Sequence, residues 1–454
     1  MENFDVIVIG AGSGLNISSA TSSMGLKTAV VEKGPMGGTC LNRGCIPSKM
    51  IIHAADVAET IDKAKVFGIN PKGYTVDFKK VTQRASRTVD KDARNIEEGI
   101  NANKNTTLFK TEGRFVGYKT LQVGKKKIKG DKIIIAAGTR PTIPPIEGLD
   151  EVDFMTSTEA LRLTKQPKTM TIIGGGYISA ELAHFYGALG TKINLIQRRD
   201  MLVAYEDHEV AKKFTAIFKK KYNVLLNSNA IKVRKKGNKI ITTIKDKNNK
   251  IKNIESEKLL VAAGRISNSD ILDVKKTNVK TDKYGYIKTN AYMETSAKNI
   301  WALGDIVGKF FFKHSANLEA ESVYYNAFGK EKRKIDYHAM PHAIFSSPQI
   351  AGVGMTEEEI KEKNIDYVIG RYDYINSGMG IAIDDKEGFV KILVDKKTRK
   401  ILGCHIMGTD ASTLIHEVVV AMKAGQPVDI LNEAVHIHPA LSEVVQRAVN
   451  RIEW

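Results

Sequence analysis

GGTCLNRGCIPSK, residues 37–49, sets two cysteines, Cys40 and Cys45, five positions apart beside glycines and just before a proline. Five residues of regular helix rise about 7.5 Å, whereas bridged cysteines keep their Cα atoms within roughly 4.4–6.8 Å. A bond between these two therefore needs a distorted backbone, and Gly44 supplies the freedom for it. Pro47 suits the first turn of a helix, which leaves Cys45 at the positive helix end, where a thiolate is favoured. The pair reads as a redox-active disulfide, although a metal-binding or accidental pair has the same spacing. A helix end lowers a thiol pKa by only about 0.2–1.5 units, so a further positive or electron-poor neighbour is expected.

The flanking residues resemble the redox motif of the flavin-dependent pyridine nucleotide–disulfide oxidoreductases, the family of glutathione reductase, dihydrolipoamide dehydrogenase, mycothione reductase and mercuric reductase. Under that resemblance the electron-poor neighbour is the flavin ring.

Composition bounds the reading. The 454 residues are long for one core and fit two to four domains. The longest apolar runs, such as IIIAAG at 133–138, fall far below the roughly 18 residues that span a membrane, and no targeting segment is visible. Three cysteines in such a chain suggest a reducing compartment, and a cytoplasmic location is expected. The net charge of +18, from 69 basic and 51 acidic residues, is spread over the chain. Its lysine clusters, GKKKIKGDK (124–132) and KDKNNKIKN (245–253), read as solvated, turn-rich hairpins. Neither a nucleic-acid nor a membrane partner is expected, and no metal site.

Two segments repeat one plan. DVIVIGAGSGL (5–15) and TMTIIGGGYIS (169–179) each run an apolar strand into a glycine turn and a helix, and each module closes on a related strand, IIIAAGTRP (133–141) and LLVAAGRIS (259–267). This predicts an α/β fold: two Rossmann-like dinucleotide-binding domains, one inserted in the other. TIPPIEGLD (142–150) reads as a crossover linker. From Asp336 onward, strands such as GFVKILVD (388–395) and the helical TLIHEVVVAMKAG (413–425) predict a C-terminal α+β dimerisation domain. The expected division is 1–147 for an FAD-binding domain, 148–267 for an NAD(P)-binding domain, 268–335 for a central domain and 336–454 for the interface domain.

Gly10, Gly12 and Gly14 let a backbone turn approach a pyrophosphate, whose charge rests on the next helix N-terminus. Glu32 ends the second strand, where a carboxylate accepts from a ribose hydroxyl. FAD is the expected ligand, because the cysteine motif follows immediately. The second turn, Gly174, Gly175 and Gly176, with Ser179 in the third-glycine position, is expected to hold the nicotinamide cofactor. Its strand ends in Gln197 rather than a carboxylate, followed by Arg198 and Arg199. A neutral amide with two guanidinium groups favours a 2′-phosphate, so the cofactor is read as NADP over NAD.

The resemblance runs in order along the whole chain: first glycine turn, cysteine motif, AAGTRP, second glycine turn, GDIVG, FSSPQIAGVG (345–354) and HIHPALSE (436–443). It implies that Cys45 faces the flavin and Cys40 exchanges with substrate. Lys49 and Glu181 match an ion pair beside the flavin, and Asp305 of GDIVG meets the ribityl chain. Thr39, Gly138 and Gly264 fall among the implied cofactor-binding positions. His438 and Glu443 correspond to the acid/base histidine and its orienting carboxylate, which in this family enter the active site of the other subunit of a homodimer. His436 is read as structural, Cys404 as an inert core thiol, and His314 as a possible lining of the flavin site.

The implied activity is dihydrolipoamide dehydrogenase-like, passing electrons between NAD(P)H, FAD, the Cys40–Cys45 disulfide and a small thiol or disulfide substrate. The alternative is an NADPH-dependent reductase of a low-molecular-weight disulfide, similar to mycothione or glutathione reductase. Mercuric reductase is disfavoured, because the chain ends in NRIEW with no cysteine pair. Docking on a 2-oxoacid dehydrogenase complex is open, while a purely binding role fits poorly with complete catalytic positions.

Overall fold

Within the strand Glu2–Ile9, Val6, Ile7 and Val8 are fully buried. Ile7 and Ile9 pack into one apolar cluster with Ile133 and Ile135, whereas Val6 and Val8 pack on the opposite face with Ile17, Trp301 and Val323. A strand covered on both faces is apolar along its length, which explains the unbroken run DVIVI. It pairs in parallel with Thr28–Val31 and Lys126–Ile135, with Val8 opposite Val30 and Ile134. Thr106–Phe109 and Ile300–Ala302 extend the parallel set, and Thr120–Val123 and Gly113–Gly117 complete a seven-stranded sheet in antiparallel fashion.

This sheet lies in the first of two units in the computed structural model, which describes all residues from Met1 to Trp454; the unit comprises Met1–Ser48, Lys80–Thr142 and Gly264–Asp336. The lysine-rich stretch 124–132 is part of a hairpin, as expected, but with a shorter turn. Only Gly124 and Lys125 form the turn, and the strand starts at Lys126. Strand alternation explains it: Ile128 and Gly130 are buried while Lys127 and Lys129 are exposed.

The second unit comprises Lys49–Lys79, Ile143–Ala263 and Tyr337–Trp454. Its parallel sheet runs in the order Asn223–Leu225, Lys192–Ile196, Thr169–Ile173, Lys258–Val261, Phe154–Met155. The strands Ser228–Lys236, Lys239–Asp246 and Ile251–Ser256 form a separate antiparallel sheet. The C-terminal part is a five-stranded antiparallel sheet, with Pro341–Ile344, Gln349–Gly354, Ile401–Gly408, Phe389–Asp395 and Tyr367–Asp373 as successive neighbours. Helices Ala411–Lys423 and Glu443–Val449 pack Ile415, Val418, Val444 and Val445 against Val390, Ile392 and Ile406 of that sheet. No helix is long and apolar enough to cross a membrane.

One polar cluster interrupts this apolar interior. Lys391, 2% exposed, donates to Asp207 at 2.9 and 3.1 Å and to Glu357 at 2.6 Å, and Asp207 itself is fully buried. Asp207 also accepts from the Glu209 N–H at the start of helix His208–Lys221, so it caps that helix as well. Burial acts to raise the Glu357 pKa, but hydrogen bonds from Lys361, Lys391 and Tyr367 outweigh it and hold the carboxyl down to about 2. A depressed carboxyl contributes stability above its ordinary pKa and loses it as pH falls through the folded value. Stability should therefore decline between about pH 4.5 and 2. Replacing the cation in Lys391→Met strands the buried Asp207 carboxylate and is expected to cost roughly 3–5 kcal/mol at neutral pH, read as a fall in the denaturation midpoint by circular dichroism.

Candidate active site

The two glycine turns are built alike. Gly10 has φ +103°, and a Cβ there would lie 2.2 Å from the Ala136 carbonyl oxygen; Gly174 has φ +121°, with a Cβ 2.2 Å from the Ala262 oxygen. In each module the turn is pressed against the end of the AAG strand, which only glycine allows. The helices that follow, Gly14–Ser23 and Tyr177–Ala188, have neither a capping side chain nor an acidic residue in the first turn. Their N-terminal N–H groups and dipoles are left to an anion.

Around the first turn a cleft is lined by Gly10, Val31, Glu32, Glu112, Gly113 and Asn268. Glu32 accepts from the Ala11 N–H at 2.9 Å and the Gly34 N–H at 2.7 Å, so its carboxylate braces the turn as well as facing the cleft. Bare glycine backbone, an uncapped helix end and a carboxylate at the strand end fit a dinucleotide. Past the C-terminal end of the parallel strand Ile300–Ala302, Asp305 accepts from Thr139 Oγ1 at 2.9 Å, and Arg265 Nε lies 3.7 Å from the same carboxylate oxygen. Burial lifts the Asp305 pKa against the pull of Arg265. Arg265 also donates to the Thr139 hydroxyl and carbonyl at 2.7 and 2.9 Å, joining the two AAG strand ends that carry Gly138 and Gly264.

The sulfurs follow from a second close approach. Gly37 N–H donates to the Ala11 carbonyl at 2.8 Å, and a Cβ on Gly38 would fall 2.7 Å from Gly12 Cα. This seats the short helix Gly38–Arg43, which carries Thr39 and Cys40, on the dinucleotide turn. Gly44 breaks the chain at φ −147°, ψ −119°, and Cys45 opens the helix Cys45–Lys63, with both cysteines half-buried. The sequence reading missed Lys313, which opens the helix Lys313–Phe328 and whose pKa is set by burial against the charges of Cys40 and Cys45. Its signal was a lysine at a helix start, where a cation is disfavoured. His314, next to it, is exposed and its ring stacks on Phe312 at 5.2 Å.

In the second unit Lys49 donates to Glu181 at 2.8 and 3.0 Å and lies 4.4 Å from the centre of the Phe345 ring, while the Phe345 N–H donates to Glu181 at 3.0 Å. Glu181 is 6% exposed, so the pair is fixed on the carboxylate side. Around the second turn Ser179 Oγ is buried with no hydrogen-bond partner, and a Cβ on Gly176 would meet nothing within 4 Å. An orphaned hydroxyl beside an open, uncapped helix end fits a second nucleotide. Gln197 is buried, packs over Gly175 and donates to the Met201 carbonyl at 3.2 Å. Arg198 and Arg199 are exposed, and Arg199 lies 4.6 Å over the ring of Tyr205, itself 82% exposed.

The C-terminal motif forms a dyad. His438 Nδ1 lies 3.1 Å from both oxygens of Glu443, whose carboxyl is held below the usual range by that hydrogen bond, against the smaller effect of burial. An ionised carboxylate only accepts, so Nδ1 carries the hydrogen and Nε2 is left to take up a proton. The imidazole side chain is 73% exposed against 7% for Glu443. His436 is instead pinned, with Nε2 at 3.0 Å from Glu417 and Nδ1 at 3.0 Å from the Ala434 carbonyl. Cys404 is fully buried in strand Ile401–Gly408, and burial pushes its thiol far up.

Comparison with known proteins agrees with this geometry. Residues 4–328 match the model of the pyridine nucleotide-disulphide oxidoreductase family, and residues 340–449 match its dimerisation domain. A mycothione reductase of Mycobacterium tuberculosis is 34% identical over 99% of both chains. A mitochondrial dihydrolipoyl dehydrogenase of Arabidopsis thaliana is 33% identical over 98% of this chain and 89% of its own. Among solved structures, the HOCl-induced flavoprotein disulfide reductase RclA of Escherichia coli superimposes with a TM-score of 0.87 at 26% identity, over 97% of this chain and 98% of that one.

If the dyad moves the substrate proton, His438→Gln should lower kcat by about 10²–10⁴-fold. Reduction of the bound flavin by the nicotinamide, followed by stopped-flow bleaching, should keep its rate. An equal fall in both readouts would exclude a role confined to thiol chemistry.

Proposed function

Because this chain belongs to the pyridine nucleotide–disulphide oxidoreductase family, and so is an FAD-dependent oxidoreductase working with NAD(P)H, we propose that it carries electrons from NADPH to the disulfide of a low-molecular-weight thiol. The observation that carries the choice of cofactor is at the second turn. Gln197 supplies no carboxylate to repel a 2′-phosphate, and Arg198 and Arg199 follow it exposed. A guanidinium–phosphate contact is worth about 1.5–3 kcal/mol, tenfold or more in affinity.

Residues Gly10, Gly12, Gly14, Glu32, Thr39, Gly138 and Asp305 are assigned to FAD, and Gly174, Gly176, Gly264, Arg198 and Arg199 to the nicotinamide nucleotide. Bound FAD supplies the conversion of a nicotinamide hydride into an electron pair for a disulfide. The remaining chemistry belongs to the chain. In the reduced pair the Cys40 thiolate attacks one sulfur of the substrate disulfide, forming a mixed disulfide and expelling one thiolate, which takes a proton from His438 of the partner subunit. The Cys45 thiolate then attacks the Cys40 sulfur, expels the second thiolate, which takes its proton from water, and closes the Cys40–Cys45 disulfide. Two electrons leave the pair and two substrate thiols form. Lys49, fixed by Glu181, places a positive charge one helical turn beyond Cys45.

Oxidation of dihydrolipoamide with NAD is the second reading, favoured by the HPALSE motif. Docking on a 2-oxoacid dehydrogenase complex belongs with it. Measuring kcat/KM for NADPH and NADH against glutathione disulfide, mycothione disulfide and lipoamide separates the two. We expect NADPH to be preferred about tenfold or more, and Arg198→Ala combined with Arg199→Ala to erase that preference while leaving NADH within about twofold. A tenfold preference for NADH, with lipoamide as the turned-over substrate, would overturn the proposal in favour of the second reading.

A further inference from the structure

A cation at the first position of a helix meets the positive end of the peptide dipoles, which disfavours it, and partial burial adds to the cost. Lys313 stands there, half-buried, and makes no ion pair with a carboxylate. Its Nζ donates to Ser13 Oγ at 2.9 Å, and that hydroxyl, 6% exposed, lies 2.9 Å from Asn317 Oδ1. Ser13 accepts from the lysine and donates to the amide, so the ammonium is fixed on the first glycine turn. Gly12 of the same turn is the residue against which Gly38, and with it the helix bearing Cys40, is packed. The anions that act on Lys313 are the sulfurs of Cys40 and Cys45, which oppose the lowering effect of burial on its pKa.

Other charges near the pair are turned elsewhere. Arg43, on the Cys40 helix, is exposed and has its guanidinium beside Gly34 with the Glu32 carboxylate next to it, and Glu32 is engaged by two backbone N–H groups. Lys49, further along the Cys45 helix, has its own carboxylate in Glu181. His314 is exposed on Phe312. Asp305 is occupied by Thr139 and Arg265.

We propose that Lys313 is a positioning residue that holds the reduced Cys40/Cys45 pair in its thiolate form, and thereby sets the pH range in which substrate disulfide is attacked. The inference rests on the reading of the two cysteines as the redox pair.

The test uses the FAD-loaded dimer as the parent protein and as Lys313→Met, Lys313→Gln and Lys313→Arg. Each is reduced with dithiothreitol, freed of it, and pulsed with iodoacetamide from about pH 5 to 9. Alkylation at Cys40 and Cys45 is read separately by peptide mass spectrometry, with buried Cys404 as the unreactive internal thiol. Loss of the cation in either neutral variant should shift the alkylation midpoint of the pair upward by about one unit, roughly tenfold slower labelling at neutral pH. The arginine variant should restore it. A parental alkylation profile in both neutral variants overturns the proposal. So does a fall in bound flavin, read by visible absorbance, with that profile unchanged, because the cation then serves the cofactor phosphates. Equal labelling of both cysteines before and after dithiothreitol overturns the redox pair itself, and the role of Lys313 with it.

Discussion

Two backbones meet without side chains where Gly12 faces Gly38, and the chemistry of the first unit depends on that approach. A Cβ on Gly38 would come within 2.7 Å of Gly12 Cα, and the adjoining Gly37 N–H is bonded to the Ala11 carbonyl at 2.8 Å. The glycine turn with its uncapped helix end is therefore also the seat of the helix that carries Cys40. A methyl group at Gly38 would push the sulfur helix off the turn, because the obstructing atoms are the Gly12 backbone and cannot rotate away, whereas one at Gly12 would meet Gly38 Cα only at 4.0 Å. The juxtaposition of the glycine turn and the cysteine helix is thus a packing constraint.

The second module repeats the construction with other chemistry. Gly174 presses on the Ala262 carbonyl as Gly10 presses on that of Ala136, so the strand, turn and helix occupy equivalent places. What differs is the residue at the end of the adjoining strand. Glu32 projects a carboxylate that two backbone N–H groups keep in place, whereas Gln197 folds its amide over Gly175 and leaves the surface to Arg198 and Arg199. One backbone plan therefore carries two different strand termini, a braced carboxylate in one module and a folded amide with two exposed arginines in the other.

Much of this was legible in the sequence because the constraint at each point is local. The glycine turns, the break at Gly44 and the helix beginning at Cys45 follow from residues within a few positions of one another. The His438–Glu443 dyad needs only a turn and the first residue of a helix. What was not legible depends on distant partners. Lys313 reaches Ser13 across 300 positions, and Arg265 meets Thr139 across 126. The Lys391–Asp207 pair joins residues 184 apart, inside a strand whose letters read as uniformly apolar around one lysine. Strand alternation also hid in the lysine-rich run at 124–132, where net hydrophilicity outweighed the buried Ile128 and Gly130.

The exposure of the dyad connects its chemistry to assembly. Glu443 is buried and fixes the imidazole, yet the ring itself stands 73% exposed. Its neighbours in the segment, Val435 and Ile437, are 100% and 79% exposed, and all three lie within the residues that match the family's dimerisation domain. Burying an aliphatic side chain of this size is worth about 1.5–3 kcal/mol, so covering Val435 and Ile437 favours association of a second chain on this segment. The same step removes water from around the imidazole, and a charge–charge interaction gains strength as the local dielectric falls. The apolar residues that alternate with the histidines along 435–438 thus supply a driving force for covering the segment that holds the His438–Glu443 pair.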